Sequence, residues 1–298
     1  MMDQKKIILV IGAAGAQSES VARHLLQEGS FSVRYLTNNT QSTESQEMAN
    51  AGAELVLGSP DHINRLLVAM NGVYGVFAAT GFNEHFEKEY QQGKNIIDAV
   101  TKSGIEHFIY SSLPIVHADG KPALQTYAKK KKPNSSFVHV SGYYENFSSC
   151  YLPHKMEDGN YYLQLPQANA QCATISKEDF GGIVSSMFRF PDVYMGRTVG
   201  AAGADMTFAE YAALLSKVLD INIIYQPISW EDHTALYFPG TEELSDMFAY
   251  NRLHTRYRSI DLIESYGLNP SMKTFESWVM ENKILFQQLL AHQEEAVA

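Results

Sequence analysis

Cysteine is scarce: Cys150 and Cys172 are the only two in 298 residues. A disulfide framework is excluded, and a reducing compartment is the natural setting. Long apolar runs are also lacking. The run at 7–11, preceded by Asp3, Lys5 and Lys6, is too short to span a bilayer and is followed by no signal-peptide pattern. A soluble intracellular protein, cytoplasmic and also nuclear, with no membrane partner is therefore expected. Positive charge is in deficit, with 23 Lys and Arg against 33 Asp and Glu, a net charge of −10 and a pI near 5.5. Nucleic-acid binding relies on neutralising phosphates, so direct contact with nucleic acid is not expected. The single dense basic run, 129–132, ends a predicted helix just before Pro133, where cations complement the helix dipole.

Several catalytic patterns are missing too. The chain has no Gly-x-Ser-x-Gly elbow, no Gly-Lys-Ser/Thr phosphate loop and no Cys/His cluster at zinc spacing, so no metal site is expected. Cys150 and His154 are four apart, but Pro153 interrupts any helix between them, which argues against a thiol enzyme.

What is present is a chain that is 45% hydrophobic and 19% charged, able to bury a large core. Short apolar runs at 7–11, 33–37, 53–57, 73–79, 107–112 and 137–140 read as strands. Helical patterns alternate with them: one stops at Gly29, one is capped by Ser59 with Pro60 at its first position, and one spans 90–103. Such alternation predicts an α/β protein with a doubly wound parallel sheet. The second half is less regular. Strands are expected at 161–165 and 173–175, with capping boxes at Ser176/Asp179, Thr207/Glu210 and Ser229/Asp232. A long helix is expected over 274–292. Together these predict a nucleotide-type domain over 1–147 and a smaller, mostly helical subdomain over 148–298, interleaved with the first and packed over the carboxyl ends of the strands.

The chemistry concentrates where the first strand meets the first helix. Gly12-Ala13-Ala14-Gly15-Ala16-Gln17-Ser18 stands where a dinucleotide-binding turn belongs, exposing backbone N–H groups to a pyrophosphate at the positive end of a helix. The third glycine of such a turn is Ser18. At the end of the second strand, an acid would select NAD and a base NADP; Asn38 and Asn39 satisfy neither rule. Arg34, on that strand, reads as a solvated side chain. A short-chain dehydrogenase carries a Tyr-x-x-x-Lys pair, in which the lysine lowers the phenol pKa. Beyond the fifth strand stand His117-Ala118-Asp119-Gly120-Lys121: the lysine without the tyrosine.

These residues resemble the NmrA-like family of atypical short-chain dehydrogenase relatives, most closely its HSCARG-like redox-sensor branch. The resemblance rests on residues 12–17, Ser20-Val21-Ala22-Arg23, Gln92-Gly93-Lys94, Tyr110-Ser111-Ser112-Leu113, Tyr143-Tyr144-Glu145-Asn146-Phe147, 208–215 and Phe238-Pro239-Gly240, which together cover nearly the whole chain. It implies a Rossmann-type fold and an NADP-binding protein, often without dehydrogenase activity, that reports the NADPH/NADP balance to a protein partner. By position, the diphosphate would lie on Gly12 to Gln17 and the ribose phosphate near Asn38. The nicotinamide side would be met by Thr80, Gly81, Phe82, Lys121 and Tyr143 to Asn146. Three residues depart from the family: Ser18, Asn38 for an arginine, and Ser59 for an aspartate. Loss of that arginine weakens the case for NADP and opens selectivity toward NAD.

Three functions remain open on these grounds. The first is a dinucleotide-responsive regulator, whose partners would be NADP(H), a regulatory protein and a second copy of the chain. The second is an NADPH-dependent reductase of a quinone or small carbonyl compound, with Lys121 or His117 as catalytic groups and Tyr143, Tyr144 and Phe147 lining an apolar pocket. The third is a scaffold that has lost nucleotide binding.

Overall fold

The computed structural model describes residues 5–12, 15–80, 86–112, 121–132, 134–140, 142–235, 244–245, 248–249, 252 and 259–297. The chain divides into two compact units. Unit 1 comprises Met1–Val140, Lys177–Ala201 and Ile263–Pro270; unit 2 comprises Ser141–Ser176, Ala202–Leu262 and Ser271–Ala298.

Unit 1 is built on seven strands: β1 (Ile7–Ile11), β2 (Ser32–Thr37), β3 (Glu54–Leu57), β4 (Gly75–Ala78), β5 (His107–Ser112), β6 (Ser136–Val140) and β10 (Thr198–Ala201). Their order is β10-β6-β5-β4-β1-β2-β3, and every neighbouring pair is parallel. Parallel neighbours require crossovers. These are supplied by α1 (Ala16–Glu28), α2 (Thr43–Asn50), α3 (Ile63–Ala69), α4 (Phe86–Lys102) and α5 (Lys121–Lys131). The order 3-2-1-4-5-6 with one added edge strand is the Rossmann-type doubly wound sheet. Apolar side chains on β1, β4 and β5, such as Leu9, Val76 and Phe108, are fully buried against Ile96, Ile97 and Val100 of α4.

On the other face, α1 meets α6 (Phe180–Arg189) at very close range. Gly181 makes this possible: a Cβ there would run into the Ser20 carbonyl and stand 2.6 Å from Val21 N. Ser20 Oγ accepts the Gly181 N–H at 2.9 Å and donates to the Glu178 carbonyl at 2.6 Å. Ser176 is thus not the cap of this helix. Asp179 is, and its side chain makes no cap hydrogen bond. Likewise, α3 begins at Ile63 rather than at Pro60, because the Ser59 hydroxyl closes a local turn on Asp61 N instead of capping the helix. Unit 1 is completed by α7 (Pro191–Tyr194) and α10 (Leu262–Leu268), which begins at its border.

Unit 2 combines helices with two small sheets. β9 (Gln171–Thr174) pairs antiparallel with β11 (Ala204–Thr207), and β8 (Tyr161–Leu165) lies between β7 (His154–Lys155) and β12 (Ile223–Pro227). Its helices are α8 (Phe208–Leu219), α9 (Trp230–Thr234), α11 (Phe275–Glu281) and α12 (Lys283–Val297). The Thr207/Glu210 capping box and the Ser229 cap form as the sequence indicates. The helix expected over 274–292 is interrupted at Asn282, which leaves helical geometry at φ −98° and ψ 12° and whose Nδ2 donates to the Trp278 carbonyl at 2.8 Å. An aromatic core of Tyr144, Phe147, Tyr151, Phe208, Tyr211, Phe275 and Trp278 holds the unit together.

Candidate functional site

The carboxyl edge of the unit 1 sheet collects Gly12, Gly15, Asn38 and Thr80 of the sequence-selected groups. Register places Val10 beside Tyr35 and Ile11 beside Ala78, so the turn after β1, the end of β2 and the end of β4 emerge side by side. Ligands of open α/β sheets bind at this edge, where the strand order reverses.

Gly12 adopts φ +148°, in territory closed to other residues. A Cβ on it would strike Ser18 Oγ and lie 3.0 Å from the Ala79 carbonyl. Gly15 differs. Its φ of −94° and ψ of 137° suit any residue, and among the described residues beyond its chain neighbours a Cβ would have only the Gly12 carbonyl, at 3.8 Å, within 4 Å. Among the described residues the start of α1 is therefore open, and its first-turn N–H groups have no partner within the helix. A dinucleotide diphosphate fits this arrangement on steric and electrostatic grounds. Ala16 and Gln17 form the first turn of α1; Ala13 and Ala14 lie outside the described residues.

At the end of β2, Thr37 Oγ1 is 2.8 Å from Ser45 Oγ, and Asn38 is exposed. Two arginines of this part of unit 1, Arg23 on α1 and Arg34 toward the amino end of β2, are already engaged. Arg34 Nε donates to Glu54 Oε2 at 2.8 Å, while Nη1 donates to the Ala69 and Asn71 carbonyls at the end of α3. It is a helix-end clamp rather than the expected solvated side chain. Arg23 spans Glu19 at 2.8 Å and Glu47 at 2.6 Å.

Thr80, past β4, gives its hydroxyl to Glu89 Oε1 at 2.8 Å, so the Tyr110 hydroxyl 2.9 Å away donates to Thr80. All three are buried, and burial pushes the Tyr110 phenol above its usual range. The Thr80 hydroxyl has thus spent its only proton on Glu89 and can offer a ligand no hydrogen-bond donor. Lys121 is the first residue of α5, while Gly81, Phe82 and His117 lie outside the described residues.

A Tyr-x-x-x-Lys spacing occurs three times in the chain, at Tyr90/Lys94, Tyr151/Lys155 and, along α5 beyond Lys121, at Tyr127/Lys131. Tyr127 donates to Asp98 Oδ1 at 2.7 Å, and the Lys131 ammonium sits 3.9 Å from the same oxygen. Burial, reinforced by Asp98, pushes the Tyr127 phenol up to about 12. That is opposite to the depressed pKa a proton-transferring tyrosine needs. The lysine run closes on itself: Lys129 lies over Phe137 at 5.4 Å and Lys131 over Tyr127 at 5.4 Å.

In unit 2, residues Tyr144–Ser148 form a 3₁₀ helix whose N-cap is Tyr143. Tyr144 and Phe147 are fully buried: Tyr144 packs 5.3 Å from Phe275, and Phe147 4.7 Å from the same ring. Their aromatic surface is spent in the core instead of lining a substrate pocket. Tyr143, Glu145 and Asn146 are half-buried, and Glu145 Oε1 accepts the Ser176 hydroxyl at 3.2 Å.

A model of the NmrA-like family matches residues 4–279. The chain belongs to the NmrA-like family. Among its relatives is the NmrA-like family domain-containing oxidoreductase FrzB of a Cladobotryum species, 29% identical over 283 residues that cover 83% of this chain and 84% of the relative. The fold matches that of NmrA, a negative transcriptional regulator crystallised with NADP, at a TM-score of 0.76 and 19% identity, covering 99% of this chain and 98% of the other. It also matches an NADPH-dependent quinone oxidoreductase from Escherichia coli, crystallised with NADPH, at 0.72 and 18% identity, covering 92% and 99%.

Two departures from the family pattern have visible structural roles. Ser18 Oγ donates to the Ile11 carbonyl at 3.3 Å, tying α1 back to β1. Ser59 Oγ donates to Asp61 Oδ2 at 2.7 Å, in the turn after β3. There, hydrogen bonds from Gln92 and then Ser59 hold the Asp61 carboxyl below its usual range. Among the described residues no group of His, Cys, Asp and Glu is arranged to hold a metal ion, and no helix is long and apolar enough to cross a membrane.

Proposed function

We propose that this NmrA-like protein binds NADP(H) at the carboxyl edge of unit 1 and acts as a dinucleotide-responsive regulator of the redox-sensor type. The observation that carries this reading is the pairing of Gly12, where a Cβ would meet Ser18 and the Ala79 carbonyl, with Gly15, where among the described residues a Cβ would meet only the Gly12 carbonyl at 3.8 Å. Fold maintenance accounts for the first glycine but not for the second. Gly12 to Gln17 would hold the diphosphate, Asn38 would face the adenosine ribose, and main chain at Thr80 would approach the nicotinamide side with Lys121. The nicotinamide ring supplies hydride chemistry when bound. The regulatory reading is supported by Tyr127, whose phenol is pushed up by burial and then by Asp98, away from the depressed value a proton-transferring tyrosine needs. Resemblance to the HSCARG-like branch and the NmrA regulator points the same way. A regulatory protein and a second copy of this chain are the partners proposed.

Calorimetric titration with NADP, NADPH and NAD tests the binding step; absence of binding at millimolar nucleotide would leave only the scaffold reading. A second reading, an NADPH-dependent reductase of a quinone or small carbonyl compound, is favoured by the relative named as an oxidoreductase. Loss of NADPH absorbance with a panel of quinones would select it over the regulator.

A further inference from the structure

Resting on the proposed nucleotide site, we infer that Arg65 supplies the cation for the ribose 2′-phosphate, in place of the arginine absent at Asn38. Gly58 extends β3 at the carboxyl edge and donates its N–H to the Thr37 carbonyl at 2.8 Å, one residue before Asn38. Since Gly58 has no side chain, the first turn of α3 closes onto this edge. A Cβ at Gly58 would stand 3.5 Å from Arg65 Cβ and 2.9 Å from Leu36 Cδ1. Arg65 therefore projects from a point beside the ends of both β2 and β3.

Its chemistry is uncommitted. Arg65 is exposed, and its side chain makes no hydrogen bond or ion pair among the described residues. Arg23 and Arg34 are both tied to carboxylates, and Arg34 also to carbonyls. The nearby acid, Asp61, takes its hydrogen bonds from Gln92 and Ser59. A guanidinium left with all its donors at this edge suits a phosphate monoester, which accepts two parallel N–H bonds. The adenosine of NAD offers only a hydroxyl there, so Arg65 discriminates between the cofactors.

The test is titration of wild type, Arg65→Gln and Arg65→Lys with NADP, NAD, adenosine 2′,5′-bisphosphate and AMP. Arg65→Gln is expected to weaken NADP and the bisphosphate about ten- to a hundredfold and to leave NAD and AMP unchanged. Arg65→Lys should recover part of the loss, because it keeps the charge but not the fork. Added salt should erode NADP affinity more in wild type than in Arg65→Gln. An equal effect on NADP and NAD, or none, overturns the assignment while leaving the nucleotide site standing. Failure of wild type to bind either nucleotide overturns both.

Discussion

The Ser18 hydroxyl fills the space that a side chain on Gly12 would need, and from there it bonds the Ile11 carbonyl at 3.3 Å. The two residues are therefore coupled. Gly12→Ala is expected to destabilise the protein by roughly 1–3 kcal/mol, from a φ of +148° that alanine resists and from the clash with Ser18. Urea unfolding would show this as a lower midpoint with unchanged slope. Adding Ser18→Gly should return part of the loss by removing the clash.

Gly15→Val separates binding from folding. Its extended backbone and open surroundings tolerate the side chain, so the unfolding midpoint should move by no more than about 1 kcal/mol, the scale of an N-cap change. Dinucleotide binding should be lost, since the branched side chain stands where the diphosphate must approach. Unchanged NADP affinity in this variant would move the ligand elsewhere.

Asn38→Arg places a second guanidinium at the end of β2. NADP binding should strengthen by at most about 1.5–3 kcal/mol, less where solvent screens the pair, with NAD nearly unchanged. In the Arg65→Gln background the gain should be larger, because the incoming arginine then meets an unshared phosphate. Titration with both nucleotides checks the selectivity, and an equal shift for NADP and NAD would show that position 38 faces away from the phosphate.

His107 gives stability a pH dependence. Ser136 Oγ donates to the Tyr194 carbonyl at 2.9 Å and accepts the Gly196 N–H, so His107 Nε2–H donates to Ser136 at 3.2 Å. The buried Nδ1 has no partner among the described residues. Burial, then the charge of Lys132, lowers the imidazole pKa to about 4. The folded state thus refuses a proton that the unfolded chain takes up near pH 6.5. Nothing is lost above that pH; stability falls as pH drops toward 4, by up to about 3 kcal/mol from this group. Unfolding of wild type and His107→Asn at pH 7 and 4.5 should show a smaller pH loss in the variant. His139, also lowered to about 4 by burial and Lys129, should leave a residual loss in both.

The alternation of strands and helices in the first 140 residues was legible because each run carries its own burial pattern. Strand β10 was not. Its four residues, Thr198-Val199-Gly200-Ala201, carry little β signal, and their place is set by pairing with β6 some sixty residues earlier. Ser176 matched a capping box by spacing alone, and its hydroxyl instead met Glu145. The glycine turn could be read from sequence, but the contrast between Gly12 and Gly15 needed three-dimensional neighbours. Arg65 carried no local signal at all: its setting depends on Gly58 and on the pairing of β3 with β2. Tyr127 and Lys131 satisfied a catalytic spacing whose meaning only Asp98 reveals.

The chain passes between its two units at residues 140, 176, 201, 262 and 270. Gene fusion and recombination exchange continuous stretches of coding sequence, and the seven-stranded sheet is not one. A fragment ending at Val140 would keep the glycine turn yet lack β10, leaving the fully buried β6 as a bare edge open to another chain. It would lack α6 as well, exposing the face of α1 that Gly181 admits. The sheet that presents the glycine turn is therefore spread over three separate stretches of sequence, 1–140, 177–201 and 263–270, and no single stretch can carry it whole into another protein as a cassette.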